Sequence, residues 1–335
     1  MFGKPGNVVG LDIGSHTVKV VEIEKGLKGR KSLSKFSLAR VTPGEAGKVA
    51  AVKKVMQESG IESDQVAIAV SGQSVIVRYI ELPEMSEEEV KNAIKYEAER
   101  HIPFDIEEVV LDFQVLERAA DLRKMRVLLV AVKKDLIDGY LKLMEATGLN
   151  PAIIDADSFA LLNAFEMREE KKETVALVNM GAKLTNINIV REGIPYFTRD
   201  ISPAGNDITE AIQKNLSLDL PTAEKRKEED GEAIGDSPLF KALNPILEDL
   251  AGELRRSFDY YENQTLEKII NKVLFSGGGA QLKDLDKFLT KALGLPVSVW
   301  NPLEGLDTSS ISNGQELEKH APLLGVAIGL ALREA

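Results

Sequence analysis

The chain reads as an α/β protein of two lobes built on a duplicated core, with a small α+β unit inserted in the first lobe. Three observations predict this. At 335 residues the chain exceeds one ordinary core, since domains usually run to about 150 residues. A strand, glycine turn, strand motif occurs near the start and again in the second half. Between the two lies an acidic stretch of different composition. The expected boundaries are residues 1–80 with 151–172 for the first lobe, 81–150 for the insertion and 173–335 for the second lobe. The closing helix at 321–333 is expected to return to the first lobe.

Composition narrows the class. A chain that is 44% hydrophobic and 28% charged has the makeup of a globular protein with a sizeable core, not of a disordered one. A net charge of -11 argues against a nucleic-acid partner, because phosphate backbones are bound by clustered Lys and Arg. The longest basic run, 25–40, is broken by glycine and serine and reads as a solvated hairpin edge. With no cysteine there is no disulfide, no thiolate chemistry and no Cys-ligated zinc, which suits the cytosol. The 3 histidines stand too far apart for zinc-site spacing. Residues 1–7 lack the layout of a secretory signal, and no run reaches the roughly 20 apolar residues of a membrane span. The apolar run at 323–332 is too short to span and has no Lys-rich face, so a buried helix is expected there.

Along the chain, 8–24 alternates apolar residues around a Gly-Ser turn and predicts a β-hairpin. A strand is expected at 35–42, a helix at 45–58 stopped by Gly60, and strands at 65–70 and 74–81. Residues 81–108 then hold ten acidic against three basic residues. Within them Val90, Ile94, Ala98 and either His101 or Ile102 recur at helical spacing. Ser86 with Glu89 forms a capping box, and Pro103 stops the helix. Strands at 109–116 and 125–132 follow, then a helix with Leu136, Tyr140, Leu143 and Thr147 on one face, ended by Gly148. A strand at 152–156 and a helix at 158–168 lead into a charged tail at 168–173 that reads as a linker.

The second half opens with strands at 175–178, 184–190 and 194–200, joined by glycine-bearing turns, so the opening pattern begins again. Helices are expected at 205–216 and 244–261, the latter with Leu247, Leu250, Leu254, Phe258 and Tyr261 in register. The Glu- and Lys-rich stretch 222–237 reads as partly helical and mobile. A strand at 272–275, a glycine turn, a helix at 282–293 and a strand at 297–300 with Trp300 as edge packing follow. A polar loop at 303–318 and the closing helix end the chain.

Three motifs carry chemistry. The first turn contains Asp12, Gly14, Ser15, His16, Thr17 and Lys19; the second repeats it as Asn179, Gly181, Ala182 and Thr185. In each, a polar residue ends a buried strand and a glycine two positions on lets the turn tighten. Successive N–H groups there form an anion nest suited to a phosphate chain. Asp12 would then hold Mg²⁺ through water, since that ion takes one or two carboxylates and keeps several waters. His16 either contacts phosphate or faces solvent. Lys19 either neutralises phosphate or points outward from its strand. The third motif is Gly277-Gly278-Gly279, where a strand runs into a helix start that can receive a nucleotide.

With these motifs the sequence resembles the actin-like ATPase superfamily, whose core is a duplicated ribonuclease H-like unit. The resemblance is carried by 10–15 with 18–22, by Leu82-Pro83-Glu84-Met85 into 94–104, and by Phe275-Ser276-Gly277-Gly278-Gly279. Residues 96–104 point to the PilM family of type IV pilus assembly, or to its division relative FtsA. FtsA-like proteins end in an amphipathic membrane helix, which this chain is expected to lack.

The resemblance implies ATP and Mg²⁺ between the lobes and a cytosolic adaptor at the inner face of the inner membrane. It also implies a groove between the first lobe and the insertion that holds the cytosolic tail of a PilN-like membrane protein. Leu82, Ile94, Tyr96, Ile102 and Phe104 are the candidates for that groove. Other pilus proteins and an oligomer are further expectations. Actin-like ATPases carry Asp where this chain has Asn179, and an amide is neither a base nor a strong Mg²⁺ ligand, so at most slow hydrolysis is expected. Asp155 is the candidate to orient an attacking water; the alternative is that it caps the helix ahead of Ser158. An FtsA-like filament protein and a small-molecule kinase of the same superfamily stand as rival readings.

Overall fold

The structure is a computed structural model that describes residues 8–26, 29–119, 123–167, 173–231, 233–265 and 270–333. The readings of 1–7 and of the linker over 168–172 concern residues outside that set. The strands in chain order are β1 (Val8–Ile13), β2 (Thr17–Lys25), β3 (Lys31–Arg40), β4 (Gln65–Val70), β5 (Val75–Pro83), β6 (Val109–Ala119), β7 (Lys124–Lys133), β8 (Asn150–Ala156), β9 (Thr174–Met180), β10 (Thr185–Arg191), β11 (Ile194–Ile201), β12 (Lys272–Ser276) and β13 (Val297–Val299). The helices are α1 (Glu45–Ser59), α2 (Glu87–His101), α3 (Lys134–Thr147), α4 (Asp157–Phe165), α5 (Gly205–Leu216), α6 (Leu220–Asp230), α7 (Pro238–Gln264), α8 (Leu285–Leu293), α9 (Gly314–His320) and α10 (Gly325–Ala331).

The chain divides into two compact units, Met1–Ala69 with Thr147–Ala335 and Val70–Ala146. The larger holds two five-stranded sheets, ordered β3-β2-β1-β4-β8 and β11-β10-β9-β12-β13. Each sheet opens with an antiparallel meander, and its first strand also pairs in parallel with the strand that returns, β4 in one and β12 in the other. The repeat seen in the sequence is thus a repeat of topology.

Strand alternation decides what each face of these sheets covers. In the second sheet Ala176, Val178, Met180, Ile187 and Ile189 pack on α5 and α7, where Leu247, Leu250, Leu254, Phe258 and Tyr261 are buried as their spacing predicted. The opposite face sends Val175, Leu177, Val190 and Leu274 into a core shared with α4, α10 and the first sheet's Val21, Ile23, Ala67 and Ala69. Helix α10 lies against both β1 and α4 with no room between. A Cβ on Gly10 would come within 2.0 Å of Ala327 O, and one on Gly329 within 1.6 Å of Ala160 O.

Two sequence expectations are corrected in this unit. Trp300 is not edge packing: at 2% exposure it turns inward, edge-on to Phe165 at 6.2 Å, because the end of β13 is covered by the shared core. Residues 303–318 are not all loop, since Asn313 accepts the N–H of Glu316 and starts α9, whose Leu317 is buried. The stretch 222–237 is partly helical, as expected: its first residues lie in α6, which begins earlier, at Leu220, where Asp219 accepts the N–H of Thr222 and Pro221 sits in the first turn, and ends at Asp230.

The smaller unit is a three-stranded sheet ordered β5-β7-β6 with α2 across it. Strand β5 falls within this unit and not the first lobe, because Val75–Pro83 pairs along its whole length with β7. Ser86 and Glu89 close the capping box that starts α2. Val90, Ile94 and Ala98 face the sheet, and Ile102, not the exposed His101, continues the stripe. In α3 the fully buried side chain is Met144, while Leu136, Tyr140, Leu143 and Thr147 are half-buried.

Candidate functional site

The first turn is organised by its strands. Pairing of β1 with β2 runs from Val8↔Ile23 to Ile13↔Val18, leaving the backbone N–H groups of Gly14, Ser15 and His16 beyond that ladder. Asp12 faces Lys19 in this register, and both lie on the face that carries Gly10 and Val21 against α10. The Lys19 ammonium stands 2.9 Å from Asp12 Oδ2, with the two side chains 14% and 12% exposed. Lys19 therefore does not point outward. Gly14 is required by close approach, since a Cβ would meet Thr17 O at 2.7 Å and Lys19 Nζ at 3.2 Å.

The second turn repeats the register. Asn179 faces Asn186 where Asp12 faces Lys19, and Gly181 stands where Gly14 does. Gly181 O and Ala182 O accept the first amides of α5, from Gly205 at 3.0 Å and Asn206 at 2.7 Å, so the helix start is docked on the turn. The Thr185 hydroxyl is fully buried and donates to Pro203 O at 2.6 Å; it fastens the turn and does not face a ligand. Asn179 Oδ1 lies 3.4 Å from the Ser276 hydroxyl on β12.

The three glycines differ in what they permit. Gly277 has φ +85°, and a Cβ there would meet Met180 O at 2.4 Å and Asn179 Oδ1 at 2.6 Å. One on Gly279 would enter the Met180 side chain at 2.3 Å. Beside Gly278 there is nothing within 4 Å. The outer two glycines seat the turn on the end of β9, and the middle one leaves open space for an incoming group.

Sequence reading missed the polar cluster on α6. Glu224 accepts from Thr209 at 2.6 Å, lies 2.6 Å from Lys227, and is 3.8 Å from His16 Nε2 on the first turn. Lys227 also donates to Thr209 at 2.8 Å and to Gly205 O at 3.2 Å, and Arg40 pairs with Glu228. The local signal was slight: Glu224 and Lys227 one turn apart in a stretch otherwise uniformly charged. Burial raises the Glu224 carboxyl, but hydrogen bonds from Lys227 and Thr209 outweigh it and the net pKa is lowered. His16 is lowered, first by burial and then by Lys227 and Arg40, against the pull of Glu224. His16, Glu224 and Glu228 offer ligand atoms within 4.8 Å of one another. Lys227 and Arg40 already balance both carboxylates, so the cluster reads as an ion network.

Asp155 is the penultimate residue of β8, with a side chain that is 6% exposed. Its Oδ2 lies 2.6 Å from Arg333 Nε, and its Oδ1 accepts the N–H of Ala156. It does not cap α4, whose start has no side-chain cap. In the smaller unit Leu82, Ile94 and Ile102 are core residues and offer no side chain to a partner, because α2 presses them onto the sheet. Phe104 is partly buried under Lys133, at 4.4 Å. Tyr96, 73% exposed, is the one of the five on the open surface.

The described residues fit a nucleotide with its cation. A cation at Lys19, a carboxylate at Asp12, turn amides beyond the ladder and open space at Gly278 surround the two hairpin ends. The family model for the type IV pilus assembly protein PilM matches residues 10–335. The chain belongs to the PilM family. A solved PilM-PilN type IV pilus biogenesis complex is 30% identical over 98% of this chain and 99% of that one, with a TM-score of 0.88. The cell division protein FtsA of Staphylococcus epidermidis is 25% identical over 52% of this chain but only 41% of its own length. MreB5 of Spiroplasma citri, solved with ADP, shares the fold at a TM-score of 0.58 and 12% identity, covering 96% of this chain and 94% of that one. The fold is the actin-like ATPase fold. Among the described residues no helix is long and apolar enough to cross a membrane.

Proposed function

We propose that the chain binds ATP with Mg²⁺ between its two hairpin ends and works as a nucleotide-responsive adaptor of a pilus machine. It would hold the cytosolic tail of a PilN-like protein at the inner face of the membrane. The observation that carries the nucleotide half is the duplicated register, Asp12↔Lys19 in one sheet and Asn179↔Asn186 in the other, on faces that share one core. Lys19 and the turn amides would receive phosphate oxygens, Asp12 and waters would hold the cation, and Gly278 would admit the nucleoside. Bound Mg²⁺ would screen the charge of the phosphates. With Asn179 in place of a carboxylate, hydrolysis is slow and the bound nucleotide acts by the conformation it selects. Contacts from α6 to the first sheet, His16 with Glu224 and Arg40 with Glu228, support closure of the second sheet's helices over the turns as the movement that reports nucleotide.

The partner half rests on the family and on the likeness to the PilM-PilN complex. Its test is fluorescence anisotropy of a labelled PilN-like N-terminal peptide, titrated with the protein with and without Mg-ATP. Tight binding that shifts with nucleotide supports the reading, and no binding in either state refutes it. The FtsA likeness favours one rival, a division filament protein, which nucleotide-dependent light scattering would reveal.

A further inference from the structure

Helix α6 reaches both hairpin turns. Lys227 and Glu228 stand three and four residues after Glu224, so the helix presents all three on one face. Lys227 ties that face to the second turn. It donates to Gly205 O at 3.2 Å and to Thr209 at 2.8 Å, and the Gly205 N–H donates in turn to Gly181 O at 3.0 Å. The two carboxylates extend to the first turn, Glu224 to within 3.8 Å of His16 Nε2 and Glu228 to Arg40. Arg40 belongs to the same hairpin end as His16. It faces Thr17 in the register of β2 with β3, and the next amide, Val41 N–H, donates to His16 O at 2.8 Å.

The two attachments differ in strength. On the second sheet's side Ala223 is buried in the core beneath α5 and α7, and the side chains of Glu224 and Lys227 close on Thr209 while only 15% and 18% exposed. On the first sheet's side Arg40 and Glu228 are 64% and 43% exposed. The His16 ring, its pKa lowered by burial first of all, is neutral near pH 7, so the charge on that side is carried by Arg40 with Glu228. An exposed ion pair is a weaker hold than apolar burial joined to sheltered hydrogen bonds. When the turns separate, α6 therefore stays with the second sheet and parts from the first. Its outer residues pair among themselves, Lys225 with Glu229 and Arg226 with Asp230, so the helix moves as one piece.

We propose that α6 is a strap across the nucleotide site and that the Arg40–Glu228 pair sets how fast nucleotide leaves. The strap is fixed beside one turn and reaches the other, so phosphates held between the turns depart only after it has parted from the first sheet. A contact present in the closed state and lost on opening adds to the barrier for release. Where hydrolysis is slow, exchange ends each nucleotide-bound period, and a weak, exposed pair keeps that exchange adjustable. This assignment rests on the nucleotide reading above.

The test is stopped-flow release of a fluorescent ATP analogue, loaded with Mg²⁺ onto the full chain and chased with excess Mg-ATP. The proteins are the natural sequence, Arg40→Glu, Glu228→Arg and the double swap Arg40→Glu/Glu228→Arg. Each single reversal sets like charges face to face and is expected to speed release about fivefold or more. The swap restores an opposite pair and is expected to return the rate to within about twofold of the natural one. Arg40→Gln, which removes the charge without adding repulsion, is expected to speed release about two- to threefold and serves if a reversal does not fold. Variants that release at the natural rate overturn the strap. Faster single reversals that the swap does not slow also overturn it, because the effect then belongs to one charge acting on the phosphates and not to the pair. A natural protein that binds no analogue overturns the nucleotide reading and the strap with it.

Discussion

Lys19 and Asp12 form a nearly buried ion pair, 2.9 Å apart, on facing positions of the first hairpin. The pair keeps each charge compensated. In the proposed site a phosphate would draw the ammonium away and leave the carboxylate for a cation, so that anion and cation binding would be coupled. Asp12→Ala is expected to abolish Mg²⁺-dependent ATP binding by calorimetry while the fold persists, at a stability cost of about 1–3 kcal/mol for the unpaired lysine. Unchanged binding would remove Asp12 from the site.

The triglycine turn separates stability from binding. Gly277→Ala is strained by its φ and by Asn179 and Met180, and is expected to cost several kcal/mol, ~3 or more, in urea unfolding. Gly278→Ala meets nothing and should change stability by less than about 0.5 kcal/mol while weakening nucleotide affinity. A Gly278→Ala protein with full affinity would place the nucleoside elsewhere.

The glycine contacts of α10 predict a severe effect far from any ligand. Gly329→Ala would drive its Cβ into Ala160 O, a backbone atom of α4 that cannot yield. Loss of folded protein, or destabilisation of ~3–5 kcal/mol, is expected by chemical denaturation.

Arg333 compensates the carboxyl of Asp155. Arg333→Gln leaves that nearly buried charge without its cation and is expected to cost about 1–3 kcal/mol. The double variant Asp155→Asn/Arg333→Gln should recover part of the loss, and a double-mutant cycle measures the coupling. Simple addition of the two single effects would show that the pair carries no coupling.

His16 makes the first turn sensitive to pH. Its pKa in the folded chain lies below the ordinary 6.5, through burial and the charges of Lys227 and Arg40, with Glu224 and Glu228 opposing. The unfolded chain thus binds a proton more readily. The stability it contributes is complete above 6.5 and is lost as pH falls from there through the lower folded value. Melting temperature is expected to drop on acidification from about pH 7.5 to 5.5, and to drop less in His16→Gln. Equal slopes in the two proteins would contradict this.

Local chemistry was legible without coordinates. Ser86 and Glu89 lie three residues apart, so the start of α2 can be read from a tetrapeptide. Asp12, Gly14, Asn179 and Gly181 mark turns whose geometry is made by their own neighbours, and the buried stripe of α7 follows from a period of 3.6. Repetition of such local units was enough to announce a duplicated α/β fold and its family. The outcome for single side chains was another matter. Which of Leu82, Ile94 and Tyr96 faces water depends on the sheet laid against α2. The partners of Asp155, His16 and Asn186 stand 178, 208 and 14 residues away along the chain, at Arg333, Glu224 and Asp200. Periodicity reports the burial a segment prefers, because that depends on its own spacing. It carries no information on which distant charge or amide will close the remaining contact, since that pairing exists only once strands and helices from separate parts of the chain have packed.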